Sequence, residues 1–355
     1  MKAHRVELGA DSYQVVVGTD ILDAIPEILP SGPINRIAIV EDAGVPEPAR
    51  DALENVMGEI AEVRRIAVPG GEQVKSLASV EKVLEMLAQW PLRRSDLVVG
   101  FGGGATTDLA GFVASVYQRG VKVCHVPTTL LGQVDAAIGG KTAVNLAGKN
   151  MTGTFHQPCL VICDVATTRS LSEDHLRSGL AEVIKYGLCF DSALLSLLRD
   201  DALNAFQKDP EAMVSACVRI KAEIVAIDTF DKSVRRHLNY GHTLGHALEL
   251  ATGFEELMHG EAISIGMTFA AEMSLGMGLL SDEEVNLHRQ IISGAGLPVS
   301  TNVTPETVIP LLTRDKKFRD DQAWVLLEGL QRPFVKIGVP QDAVLAAYAK
   351  VSHDG

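Results

Sequence analysis

With 355 residues the chain is long enough for two ordinary domains, or for one large domain with a generous core. Its 46% hydrophobic and 22% charged residues are the balance of a soluble globular protein. A formal net charge of −13 argues against nucleic acid as a partner, because phosphate backbones call for clustered Lys and Arg, and any phosphorylated ligand would need the basic residues focused in one place.

The opening stretch MKAHRVELGADSYQVVV holds no apolar h-region, so no signal peptide is expected and a cytoplasmic location is. VELGADSYQVVVG reads as a hairpin, RIAIVED as a buried strand, and VRRIAVPGGE as another strand running into a glycine turn. SVEKVLEMLAQW has helical periodicity, DLVVGFGGG is a strand ending in a Gly-rich loop, and VKVCHVPTT and CLVICD supply further strands. Such alternation predicts a mainly parallel, Rossmann-like sheet with helices on its faces. Near Thr167 the pattern changes to long segments of 3.6-residue periodicity, with AWVLLEGL the one candidate β piece. The expected division is an α/β domain over 1–166 and a helical domain over 167–355, packed tightly with a cleft between them. The most apolar run, Ile263–Leu280, contains Glu272 and three glycines and reads as a buried helix rather than a membrane span. Cys124, Cys159, Cys163, Cys189 and Cys217 form no CxxC pair and are read as buried, reduced thiols.

GFGGGATTDLAGF follows a strand and opens a helix, the setting in which backbone N–H groups and a helix dipole receive phosphate. The dinucleotide pattern G-x-G-x-x-G is broken, since after Gly102 and Gly104 the third position is Thr107. Taken alone, the loop fits a tight structural turn equally well. Two other stretches point toward a nucleotide. PGGEQVKS places Glu72 and Lys75 just after a strand, where they could bond a ribose and a phosphate, and VPTTLLGQVDAAIGGKTAVN sets Thr128 and Thr129 at a strand end, with Asp135 and Lys141 flanking a Gly-Gly pair. GKNMTGTFHQP repeats the arrangement with Lys149 and Asn150. A lone lysine in such a loop is ordinarily solvated surface. Several of them after successive strands match the rule that ligands bind at strand carboxyl ends.

In the helical half, candidate metal ligands occur three times. LAEVIKYG carries Glu182 and Lys185 at i, i+3 on one helix face, and YGHTLGHALE carries His242 and His246 at i, i+4 on one face. MHGEAISIGM puts His259 beside Glu261 at a helix start. The metalloprotease pattern H-E-x-x-H fails, because Thr243 stands where its general base belongs. Catalytic zinc takes three His or Glu ligands and keeps one position open, and Glu182, His242 and His259 can make such a set from three helices. The plain alternative for each histidine is a hydrogen-bonded core or surface residue, and the residues alone leave both open.

Taken in order, the motifs GGEQVK, GGGATTDLAGF, YQRGV, VPTTLLGQVDAAIGGKT, GKNMTGTFHQP, SGLAEVIKYG, RIKAE, RRHLNYGHTLGHA, HGEAISIGM and DKK span about two thirds of the chain, and here the sequence resembles the 3-dehydroquinate synthases of the sugar phosphate cyclase superfamily. The resemblance implies an NAD-binding α/β domain (1–166), an all-α metal- and substrate-binding domain (167–355) and an active site in the cleft between them. It implies conversion of 3-deoxy-D-arabino-heptulosonate 7-phosphate to 3-dehydroquinate and phosphate, a step of the shikimate pathway toward aromatic amino acids. In that chemistry the C5 hydroxyl is oxidised by NAD, phosphate is eliminated, the ketone is reduced back, the ring opens, and an intramolecular aldol closes the carbocycle. NAD is recycled rather than consumed.

The resemblance also implies roles for residues. Glu182, His242 and His259 match the ligands of zinc, or of cobalt in its place, and His246 matches the residue that helps move the C5 hydroxyl proton. Lys141, Asn150, Lys185, Lys221, Arg235, Asn239 and one of Lys316 and Lys317 match positions around the substrate, and Asp135 matches an aspartate near both NAD and substrate. Arg119 matches an arginine that reaches the phosphate from the neighbouring subunit, which implies a homodimer. NAD is expected on Asp42, Glu72, Lys75, Gly103, Gly104, Asp108, Thr128, Thr129, Lys141 and Lys149, with Thr167, Thr168, Arg169 and Ser170 beside it. The substrate's own phosphate is the expected base for the C6 proton.

The chain departs from the common pattern in four places. Ala105–Thr107 follow the glycines where many members carry a valine, an aliphatic residue and glycine; Ala136 and Ala137 follow Asp135 where paired serines are common; Ser-Leu-Ser at 170–172 replaces Thr-Leu-Pro; and the glycine often found after DKK is missing. These touch loops around the cofactor and the mobile rim, so they are expected to alter affinity before they alter the reaction. Cyclases of sedoheptulose 7-phosphate or glucose 6-phosphate act on substrates without a carboxylate, and Lys221, Arg235 and Asn239 argue against them. Aminodehydroquinate synthases are the nearer alternative. A metal-dependent alcohol dehydrogenase that releases NADH and a non-catalytic NAD-binding protein are the remaining ones.

Overall fold

A computed structural model describes the protein over residues 1–146, 148–253, 256–314 and 323–353. The chain divides into two units, Met1–Leu176 with Val214–Phe230, and Arg177–Met213 with Asp231–Gly355. In the first unit, strands β1 (Lys2–Val6), β2 (Tyr13–Gly18), β3 (Arg36–Asp42), β4 (Glu62–Val68), β5 (Leu97–Gly102), β6 (Lys122–Pro127) and β9 (Leu160–Asp164) form one sheet in the order β1-β2-β9-β6-β5-β3-β4. Only β1 runs antiparallel, in the expected hairpin with Ala3 opposite Val16; the remaining pairs are parallel. Successive side chains of a strand point to opposite faces. In β3, Ala38 and Val40 therefore pack with Val80, Val83 and Leu87 of helix α3 (Leu77–Gln89) and Leu109 and Val113 of α4 (Gly104–Val116). Ile37 and Ile39 pack on the other face with Ile25 of α1 (Ile25–Ile28) and Leu53 and Met57 of α2 (Glu47–Gly58). A sheet covered on both faces explains the continuous apolar runs of RIAIV and DLVVGF.

A second, smaller sheet falls inside two stretches that read as polar glycine loops. Strands β7 (Lys141–Val144) and β8 (Thr152–Phe155) pair antiparallel, with Thr142 opposite Thr154. Most of β8 faces solvent, so it carries no apolar period to betray it.

The second unit is mostly helical. It contains α5 (Glu173–Cys189), α6 (Ser192–Leu198), α7 (Ala202–Lys208), α9 (His242–Ala251), α10 (His259–Gly276), α11 (Asp282–Gly294), α12 (Pro305–Arg314) and α13 (Gln341–Tyr348); α8 (Pro210–Ile227) belongs mainly to the first unit. The β piece AWVLLEGL forms β10 (Ala323–Leu327), paired antiparallel with β11 (Pro333–Ile337). The apolar run of α10 is buried, and no helix of the described residues is long and apolar enough to cross a membrane.

Two glycines allow α10 to approach its neighbours closely. A Cβ on Gly266 would stand 1.9 Å from the carbonyl oxygen of Gly241, just before α9, and one on Gly260 would stand 2.2 Å from the carbonyl oxygen of Ser178 on α5. Backbone cannot swing aside as a side-chain tip can. Gly266→Ala is expected to destabilise the protein by about 1–3 kcal/mol, the range for forcing an extra carbon into a packed interior. Chemical denaturation checks this, and an unchanged midpoint would contradict the contact.

Candidate active site

The first unit gathers most of the residues assigned to NAD at the carboxyl ends of its strands. Strands β5 and β6 end together, with Gly102 opposite Pro127, and the amide of Thr128 donates to the Gly102 carbonyl at 2.9 Å. Gly102 has φ 155°, and a side chain there would run into Cβ of Asp42 at 2.7 Å and Thr106 at 2.9 Å. Gly103 precedes α4 and accepts from the amides of Thr106 and Thr107. Ala136, one of the departures from the common pattern, fills the space beside Gly104, 2.9 Å from where its Cβ would be. Thr129 Oγ1 accepts from the amide of Gly132 at 3.1 Å. Thr167, Thr168, Arg169 and Ser170 lie in the 3-10 turn after β9; Thr128, Thr167, Arg169 and Ser170, with Val45 and Pro46, line a hollow of about 310 Å³.

One hydrogen-bonded chain joins four of the other predicted residues. Lys75 is 4% exposed. Its ammonium donates to Asp108 Oδ2 at 2.6 Å and to the side-chain oxygen of Asn150. The Asn150 amide in turn donates to Asn145 Oδ1 at 2.9 Å, and Asn145 Nδ2 donates to Glu72 Oε1 at 2.8 Å. Burial pushes the Asp108 carboxyl up to about 6, against the pull of Lys75. Asn145 was absent from the sequence reading, although it directly follows the GGKTAV motif. Lys221 of α8 meets Asp135, its ammonium 2.5 Å from both the carbonyl and Oδ1 of that residue. Lys141 begins β7 and is exposed, and Lys149 follows in the connection to β8. Arg119 is exposed on a turn where Gln118 and Arg119 both take left-handed backbone, at φ 47° and 65°.

In the second unit, three helices bring Glu182 (α5), His242 (α9) and His259 (α10) together, with candidate ligand atoms all within 4.8 Å of one another. Glu182 is fully buried, and its Oε1 lies 3.2 Å from His242 Nε2 and 3.5 Å from His259 Nε2. Lys185, one turn on and 1% exposed, pairs with Oε2. Burial resists ionisation of Glu182, yet the Lys185 charge and the two imidazoles hold its carboxyl well below the usual range. Burial pushes His242 down. Burial acts on His259 in the same sense, but Glu182 and Glu249 outweigh it and raise the imidazole to about 9. His246 is exposed beside the trio, its ring 5.4 Å from that of His242 and 6.2 Å from that of His259. Glu261 is spent as a cap, accepting from the Met258 amide at 2.8 Å. Arg235 (3% exposed) and Asn239 lie on the 3-10 turn leading to α9. Lys316 and Lys317 lie outside the described residues.

The trio suits a divalent cation. His242 Nδ1 donates to the Tyr240 carbonyl at 3.2 Å, and His259 Nδ1 donates to Glu249 Oε1 at 3.1 Å. Each ring thus spends one nitrogen on a protein acceptor and turns Nε2 toward the carboxylate, the way metal-binding histidines are held. Glu182 turns Oε1 toward both Nε2 atoms and Oε2 toward Lys185. Two imidazoles and one carboxylate from separate helices are a donor set of catalytic zinc, with bonds of roughly 2.0–2.2 Å.

A family model described as 3-dehydroquinate synthase N-terminal matches residues 65–178, and one described as 3-dehydroquinate synthase C-terminal matches residues 179–318. The chain belongs to the 3-dehydroquinate synthase family. It is 40% identical to the 3-dehydroquinate synthase of Pseudarthrobacter chlorophenolicus, over 98% of this chain and 96% of that one, and 41% identical to that of Thermobifida fusca, over 99% and 97%. Among solved structures, it resembles a 2-deoxy-scyllo-inosose synthase complexed with carbaglucose-6-phosphate, NAD+ and Co2+ (TM-score 0.89, 25% identity, 99% and 100% of the two chains). It also resembles a 2-epi-5-epi-valiolone synthase from Streptomyces hygroscopicus with NAD+ and Zn2+ (0.88, 29%, 97% and 97%). An iron-containing alcohol dehydrogenase from Thermococcus thioreducens shares the fold, at TM-score 0.68 and 15% identity over 96% and 98% of the chains.

Metal binding should be coupled to one proton. At pH 7.5 the metal-free site carries ionised Glu182, neutral His242 and protonated His259, so only His259 must give up a proton to a cation. Calorimetry in buffers of different ionisation enthalpy is expected to report release of about one proton per metal bound. The apparent affinity should rise about tenfold per pH unit from about pH 7 to about pH 9, where His259 alone exchanges a proton, and level off above that. Release near zero at pH 7.5 would contradict the charge state given to His259.

Proposed function

We propose that the chain converts 3-deoxy-D-arabino-heptulosonate 7-phosphate to 3-dehydroquinate and phosphate, the reaction of the family to which it belongs. The observation that carries this reading is the trio of Glu182, His242 and His259, in a chain that matches the family in both halves and its named members at about 40% identity. The solved cyclases with NAD+ and either Co2+ or Zn2+ support NAD and a divalent cation as the cofactors. When bound, the cation supplies Lewis acidity toward the C4 and C5 hydroxyls, and NAD supplies a reversible hydride acceptor.

The chain's own residues then have separable tasks. Glu182, His242 and His259 would hold the cation, and the exposed imidazole of His246 beside them would take and return the C5 hydroxyl proton. Asp42, Glu72, Lys75, Gly103, Gly104, Asp108, Thr128, Thr129, Lys141, Lys149 and the 167–170 turn would hold NAD; the chain from Glu72 to Asp108 and the hollow at the strand ends support that assignment. Lys141, Asn150, Lys185, Lys221, Arg235, Asn239 and one of Lys316 and Lys317 would neutralise or bond the phosphate, carboxylate and hydroxyls, with Asp135 placed by Lys221. Arg119 would reach the phosphate of a second subunit. Its exposure and its left-handed backbone, a strain that clusters at functional sites, support this. The protein would work as a cytoplasmic homodimer.

Purified protein given the heptulosonate phosphate, catalytic NAD and zinc is expected to release equimolar phosphate and dehydroquinate without net NADH, and a chelator should abolish turnover. Turnover of sedoheptulose 7-phosphate alone would overturn the assignment. His246→Ala should lower kcat by about 100- to 10,000-fold, the range for one proton-transfer group, with metal content unchanged. Mixing inactive His246→Ala and Arg119→Ala proteins should restore up to about a quarter of the activity, since half of randomly paired dimers would hold one intact site. No restoration would place Arg119 in its own subunit's site.

A further inference from the structure

Glu249 has no place in the ligand set, yet it is 3% exposed, where an ionised carboxylate requires a partner. Its Oε1 lies 3.1 Å from His259 Nδ1, while the other nitrogen of the same ring, Nε2, lies 3.5 Å from Glu182 Oε1. The two ligand histidines are supported differently. His242 leans on a neutral carbonyl and its side chain is 11% exposed; His259, the first residue of its helix, leans on a carboxylate and is 23% exposed. The more open ring has the stronger acceptor. We propose that Glu249 is a positioning residue for the metal: it fixes His259 as the Nδ1–H tautomer with Nε2 aimed at the ion, and its charge makes that imidazole a better donor. Helix α9 then carries one ligand, His242, and the support of another. This rests on the metal reading of Glu182, His242 and His259.

A competing role follows from the same geometry, because His246, Glu249 and His259 also lie close enough to hold a cation. With an ion already on Nε2, a second on Nδ1 would need His259 to bridge two cations as an imidazolate. The hydrogen bond already seen asks for nothing of the kind, and the geometry favours it.

The test uses metal-free full-length protein and its Glu249→Ala and Glu249→Gln variants. Zn2+ affinity is measured by competition with a chromophoric chelator, and the Co2+ form by its visible spectrum, with NAD binding and circular dichroism as checks on folding. The expected result is one ion per wild-type chain and affinity about 10- to 100-fold weaker in Glu249→Ala. Glu249→Gln, which keeps an acceptor oxygen but no charge, should recover part of the loss, and the Co2+ bands should shift in the alanine variant. Affinity within twofold of wild type in Glu249→Ala would overturn the proposal, and so would two ions in the wild type falling to one in the variant. A wild-type chain that binds no divalent ion would instead sink the metal reading beneath it.

Discussion

A single buried carboxylate organises the second unit. Removing a carboxylate from water costs several kcal/mol even after the surroundings relax, so Glu182 stays ionised only because cations face it. Lys185 supplies one charge from the same helix, and the two imidazoles supply nitrogen from two other helices. A cation held there would complete the set. The charge therefore links three helices that pack for another reason as well, since Gly260 and Gly266 let α10 approach α5 and α9 to backbone contact. Apolar packing sets the distance between the helices, and the buried charge makes use of that distance.

The first unit solves a different problem with different means. A parallel sheet ends all its central strands at one edge, and glycine at 102, 103 and 104 lets Asp42, Thr106, Thr129 and Ala136 pack close against the chain there. The acidic net charge is answered locally, because the lysines at this edge are tied down rather than scattered. Lys75 is held by Asp108 and Asn150, and Lys221 by Asp135. Each ammonium is thus fixed by a carboxylate rather than left to solvent.

Much of this could be read from residue order, and the exceptions have physical causes. β-branched runs bounded by glycine located the strands of the main sheet, and helices predominate after Thr167, although Val214–Phe230 groups with the first unit rather than with the rest of 167–355. Strands β7 and β8 escaped because they are short, polar and largely exposed on one member, which leaves no apolar alternation to detect. His242 stood out by its i, i+4 spacing from His246, and His259 by its place near Glu261 at a helix start, but their supports did not. The Tyr240 carbonyl is backbone and has no sequence signature, and Glu249 looks like an ordinary polar residue until the fold buries it. The pairing of Lys221 with Asp135 spans 86 positions and depends on tertiary structure alone.

X-ray absorption at the metal edge of the zinc-loaded protein tests the central claim most directly. Two imidazole nitrogens with oxygen for the other bound atoms is the coordination that Glu182, His242 and His259 predict. A shell with three imidazoles would make His246 a ligand rather than a proton carrier and would contradict the account.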